Sequence, residues 1–118
     1  MKILGIDDNV DITDLLDMVL NVDHEFQFTN SGREGVKLIQ ENKFDVVLLD
    51  LSMPDFTGID VMDELKKNGL LDKQKIVLFT ASSMTDSEID GILKQGAHSC
   101  IRKPIDTDLL LEKLEKLT

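Results

Sequence analysis

The feature that most constrains this chain is the way two hydrophobic periods take turns along it. Lys2–Ile6, Glu25–Thr29, Phe44–Leu49, Ile76–Phe79 and His98–Ile101 are short runs rich in apolar and β-branched residues, the signature of strands. Between them the apolar residues recur at helical spacing. Ile12, Leu15, Leu16 and Val19 form the first such stripe, and Val36, Leu38 and Ile39 the second. Ile59, Met62 and Leu65 mark a third helix, Ile89, Ile92 and Leu93 a fourth, and Leu109, Leu110, Leu114 and Leu117 a fifth. The run FDVVLL is continuous rather than alternating, which suits a strand covered on both faces by helices. Five strands alternating with five helices predict an α/β fold with a parallel sheet and right-handed crossovers.

Local signals support these elements. Ser31 with Glu34, and Thr85 with Glu88, have the spacing of capping boxes, and Asp106 can cap the last helix. Pro54 and Gly58 mark the segment 52–58 as a loop, and Gly96 can stop the fourth helix. With 118 residues there is room for one domain, taken as 1–118, and no linker or repeat divides it.

Charge narrows the function. Twenty-three acids against 13 bases leave a net charge of −10, which argues against a direct nucleic-acid binder and against docking on an anionic membrane. No apolar run approaches the roughly 20 residues of a membrane span, and Asp7 interrupts the N-terminal run too early for a secretory signal. The single cysteine, Cys100, has no internal partner for a disulfide, so the expected location is cytoplasmic.

The informative polar residues fall at strand ends. Asp7 and Asp8 close the first strand, Asp50 the third and Thr80 the fourth, and Lys103 follows the fifth. In an open parallel sheet the carboxyl ends of the strands line one edge, so residues far apart in sequence converge there. Carboxylates held together repel one another, and a hard divalent cation with oxygen ligands, Mg²⁺ with Mn²⁺ as a substitute, relieves that repulsion. Asp50 can then accept a phosphoryl group as an aspartyl phosphate. Lys103 and the metal would neutralise the transferring oxygens, and Thr80 could donate its hydroxyl to one of them. Ala81 is small and leaves the phosphorus accessible.

Asp7-Asp8, Asp50, Met53-Pro54, Gly58, Thr80-Ala81 and Lys103-Pro104, in that order, resemble the marks of a response-regulator receiver domain of the chemotaxis type, the phosphate-accepting module of two-component signalling. The resemblance covers nearly the whole chain. It implies a flavodoxin-like three-layer (βα)5 sandwich with a five-stranded parallel sheet in the order 2-1-3-4-5. It also implies Asp50 as phosphoacceptor, Thr80 as switch hydroxyl and Lys103 as phosphate partner. Asp8 and Asp50 would bind Mg²⁺ directly with the backbone carbonyl of Ser52, and Asp7 mainly through water. The Lys103-Pro104 bond would be cis. A sensor histidine kinase or phosphotransfer protein would be the donor, and a downstream protein would read the face formed by helix 4, strand 5 and helix 5. Such a chain is not an enzyme beyond promoting its own phosphorylation and dephosphorylation, and here a stand-alone receiver is expected.

Two positions depart from the family's pattern. Cys100 stands where the family carries an inward-turning Tyr or Phe, and Ile105 replaces the Phe often found after Lys-Pro. Output through an aromatic switch is therefore in question, whereas the phosphorylation chemistry is not. Ser52 and Ser82, two residues beyond Asp50 and Thr80, carry no acid or amide to orient a water, which predicts a long-lived phosphoryl group. Three rival functions remain. A small Mg²⁺-dependent phosphatase with Asp50 as nucleophile would usually place a second acid where Ser52 stands. A binding module that has lost phosphorylation would not need the full set of acids and lysine. A flavin binder on the same fold would lack a Trp or Tyr to stack on the ring.

Overall fold

Strands β3 (Val46–Asp50) and β4 (Ile76–Thr80) are buried at every position, which is why their sequences are apolar up to the last residue instead of alternating. In the computed structural model, which describes residues 1–117, they form the centre of a five-stranded parallel sheet with β1 (Lys2–Ile6), β2 (Glu25–Thr29) and β5 (Ser99–Arg102). Residue 118 of the expected domain lies outside the described residues. The strand order is β2-β1-β3-β4-β5, the flavodoxin-like topology. Five helices cover the sheet: α1 (Val10–Leu20), α2 (Gly32–Glu41), α3 (Gly58–Lys67), α4 (Asp86–Leu93) and α5 (Thr107–Glu115). None of them is long and apolar enough to cross a membrane.

Alternation along the strands sorts the core into two layers. Leu4, Ile6, Val47, Leu49, Ile76 and Leu78 face Val36 and Ile39 of α2 and Val61, Met62 and Leu65 of α3. Ile92 of α4 joins that layer from its edge. Ile3, Val46, Leu48, Val77, Phe79 and Ile101 face Leu16 and Leu20 of α1 and Leu110 and Leu114 of α5. Each fully buried Leu or Ile contributes about 1.5–3 kcal/mol relative to an exposed one.

The helix starts follow their capping residues. Ser31 Oγ accepts from the amide of Glu34, and Asp106 Oδ1 accepts from those of Asp108 and Leu109. Thr85 and Glu88 form the reciprocal box, and the bonds from Thr85 hold the Glu88 carboxyl below its usual range. A second box, Thr57 with Asp60, opens α3. Some strand boundaries moved: β3 starts at Val46, not Phe44, and β5 at Ser99, not His98. A short 3₁₀ turn, Leu71–Lys73, precedes β4 without any forewarning in the hydrophobic pattern.

Candidate functional site at the carboxyl edge of the sheet

Residue parity decides which side chains meet. Asp7 follows β1 in step with Ile3, Asp50 ends β3 in step with Val46 and Leu48, and Lys103 follows β5 in step with Ile101. All three therefore belong to the α1/α5 side of the sheet. The Lys103 ammonium lies 3.1 Å from Asp50 Oδ1 and 3.4 Å from Asp7 Oδ2. Asp8 is exposed at the rim, and its carboxylate together with those of Asp7 and Asp50 offers oxygens within 4.8 Å of one another. The Lys103-Pro104 peptide bond is cis.

Thr80 has the opposite parity. It continues the series Ile76 and Leu78, is paired across the ladder with Arg102, and is buried. Its backbone carbonyl accepts from the Lys103 amide at 2.7 Å, while its hydroxyl has no hydrogen-bond partner among the described residues. Cys100 packs against the α2/α3 layer as a small hydrophobic group, as do Met84 and Ile92.

Backbone contacts fix the acids. The Asn9 amide donates to Asp7 Oδ1 at 2.9 Å, and the Ser52 amide donates to Asp50 Oδ1 at 3.1 Å. Asn30 donates through Nδ2 to the Asp7 carbonyl at 2.8 Å and to the buried Thr13 hydroxyl at 3.1 Å, tying the β1–α1 turn to the start of α2. Gly58 allows α3 to abut the end of β3: a Cβ there would lie 2.6 Å from the Asp50 carbonyl oxygen and 2.8 Å from Leu51 Cα. Asn9, Asn30 and Arg102 escaped the sequence reading. Asn9 carried a usable signal, an N-cap residue before an apolar stripe. Asn30 and Arg102 act mainly on carbonyl oxygens, which leave no mark in a sequence.

The electrostatics fit a divalent cation. Burial, reinforced by the neighbouring Asp50 charge, raises the Asp7 pKa from 3.8 to about 6; the Asn9 amide and Lys103 offset only part of that rise. Asp7 Oδ2 is buried and accepts no hydrogen bond among the described residues, although the Lys103 ammonium stands near it. A buried, unbonded carboxylate oxygen beside two further carboxylates is the donor set of a hard cation.

Residues 3–115 match the family model for the response regulator receiver domain. The chain is 32% identical over 117 residues to the transcriptional regulatory protein ZraR of Escherichia coli, covering 98% of this chain and 26% of that protein. It is 32% identical over 103 residues to the probable transcriptional regulator ycf29 of Pyropia yezoensis, covering 87% of this chain and 44% of the relative. The chain thus spans less than half the length of these curated relatives. The fold matches that of the chemotaxis protein CheY4 of Vibrio cholerae, with a TM-score of 0.88 at 23% identity over 99% of this chain and 98% of that one. With the sheet order, the edge-clustered acids and a family match across nearly its whole length, the chain belongs to the response regulator receiver domains of two-component systems.

Proposed function

We propose that this chain is a phosphoacceptor switch and that Asp50 is the accepting residue. The observation that carries the reading is the Lys103 ammonium, held between the carboxylates of Asp50 and Asp7 with Asp8 close by. In the transfer, an Asp50 carboxylate oxygen bonds to phosphorus as the P–N bond of a kinase phosphohistidine breaks. The leaving imidazole keeps the electron pair and takes up a proton. Lys103 follows the developing charge on the phosphoryl oxygens, and Thr80, with its unpartnered hydroxyl, supplies a donor once the loop after it shifts. Asp8, Asp50 and the Ser52 carbonyl would hold Mg²⁺ or Mn²⁺, with Asp7 acting through water. When bound, the cation supplies positive charge at the phosphoryl oxygens and relieves the repulsion among the acids.

The new charge of about −1.5 to −2 shifts a population toward a form whose α4–β5–α5 face a partner reads. Residues 1–118 act as one receiver unit, in the cytoplasm, with a histidine kinase or phosphotransfer protein as donor. The names of the curated relatives favour transcriptional control over a chemotaxis-type, stand-alone output. Ser52 and Ser82 are exposed and non-acidic, which supports a slow loss of the phosphoryl group.

Incubation with acetyl phosphate and Mg²⁺, followed by intact mass, tests the reading. A phosphoryl adduct that is absent in Asp50→Asn supports it. No adduct on the unaltered chain would refute it, and steady phosphate release from unrelated monoesters would favour the phosphatase.

A further inference from the structure

Among the described residues the Thr80 hydroxyl has no partner, whereas the residue beside it on β5 bonds extensively. Thr80 and Arg102 are paired across the β4–β5 ladder and so project to the same side of the sheet. From there the Arg102 guanidinium reaches over the loop that follows Thr80. Nη1 donates to the carbonyl oxygens of Ser82, at 3.4 Å, and of Met84, and Nη2 pairs with Asp86 Oδ1 at 2.7 Å, in the first turn of α4. One side chain on β5 thus fastens both the 81–85 loop and the start of α4.

The other ties of that segment are local: the Met84 amide donates to the Ala81 carbonyl, Thr85 and Glu88 cap α4, and Met84 packs on the core. Residues 81–83 and 85–88 are exposed, and Ile89 is the buried residue of α4. Cys100, two positions earlier on the same face of β5, is too small to reach the loop's polar groups and sits among apolar neighbours. In this arrangement the Ser82 and Met84 carbonyls are satisfied and, among the described residues, the Thr80 hydroxyl is not. A movement of the 81–85 loop that brought Thr80 toward the sheet edge would work against the guanidinium's bonds.

We propose that Arg102 is a positioning residue that sets the switching equilibrium of this receiver. It clamps the 81–86 segment and opposes the approach of Thr80 to the phosphoryl site. The proposal rests on the phosphoacceptor reading for its consequence, but the clamp itself can be tested without it.

Two measurements separate the cases. In the first, amide hydrogen exchange is followed without any phosphodonor for Met84, Thr85, Glu88 and Ile89, whose amides bond within the loop and the first turn. Arg102→Ala should speed their exchange about tenfold, the scale of losing one charge-assisted hydrogen bond. Arg102→Lys, which keeps the charge and loses the fork, should fall between the two. Asp86→Asn, whose side chain is 98% exposed and cannot unfold the domain, should show a smaller rise at Glu88 and Ile89. Unchanged exchange in all three variants overturns the clamp.

In the second, beryllofluoride with Mg²⁺, a stand-in for the acyl phosphate, is titrated. Arg102→Ala should bind it several-fold more tightly than the unaltered chain. Equal or weaker binding by the variant overturns the proposal while leaving the phosphoacceptor reading intact. A failure of the unaltered chain to bind beryllofluoride counts against that reading, while the exchange data still decide the clamp.

Discussion

Lys103 and Asp50 stand 3.1 Å apart, Nζ to Oδ1, although their strands are not neighbours: β4 lies between β3 and β5 in the sheet. The lysine side chain bridges the end of β4 and reaches Asp7 beyond β3, so one cation ties together the ends of β1, β3 and β5. The Lys103 side chain is 27% exposed, against 3% for that of Asp50. Removing it strands the two buried acids. We expect Lys103→Ala to lower stability in EDTA by about 1–3 kcal/mol, less than for a fully buried pair because part of the ammonium faces water. Millimolar Mg²⁺ should restore part of that loss. Labelling by acetyl phosphate should slow about 100-fold, the scale of losing one preorganised cationic donor. Urea titrations with and without Mg²⁺ check the first expectation, and timed intact mass checks the second.

Asp7 gives the domain a pH dependence of known sign. Its folded pKa, about 6, lies above the ordinary 3.8, so the native chain holds a proton that the unfolded chain has released. Its contribution to stability is therefore present below pH 3.8 and is lost as pH rises through 6. Without divalent cations, Asp7→Asn should remove this loss and be the more stable protein at pH 7. Divalent-cation affinity of the unaltered chain should climb over the same window. Denaturant midpoints at pH 5 and 7 in EDTA decide it: a variant that keeps the full pH-dependent loss would show that Asp7 is not its source.

Gly58 tests how closely α3 must approach Asp50. The Cβ of Gly58→Ala would meet the Asp50 carbonyl oxygen and Leu51 Cα, both backbone atoms that cannot turn aside. Overpacking of this kind costs about 1–3 kcal/mol. Since the shift falls on Asp50 itself, phosphorylation should slow as well. A stable, normally labelled Gly58→Ala would mean that the loop has slack.

Asp55 holds φ at +64°, and the Phe56 amide donates to the Pro54 carbonyl at 2.6 Å, closing a three-residue turn around it. Asp tolerates this left-handed region better than most side chains. A β-branched residue does not, so Asp55→Val should cost about 1–2 kcal/mol. Asp55→Gly should stay within about 0.5 kcal/mol, the relief of strain being offset by the entropy of the unfolded chain. Thermal midpoints of the pair give the answer.

Most of the fold was legible because hydrophobic period and strand position are local properties. The continuous apolar run before Asp50 and the pair Leu110 and Leu114 report burial directly, whereas Leu109 of the same stripe is exposed. The shortfalls arise where tertiary contact decides. Phe44 is buried yet precedes β3, its carbonyl taken by Gln74 Nε2 at 3.1 Å rather than by a strand. Thr57, the cap of the Thr57–Asp60 box, lay within a segment that its Pro and Gly marked as loop. At the site, the charged residues were visible from their places at strand ends. Arg102 was visible as a charge, but the carbonyls it holds carry no signature in the side-chain code.

The split in parity between Asp50 and Thr80 has a further consequence. On the proposed reading, acceptance of the signal would occupy one surface of a single peptide layer, and its relay would begin on the reverse. Substitutions around α4 would then retune the listener while leaving the acids and the lysine, on the other surface, untouched.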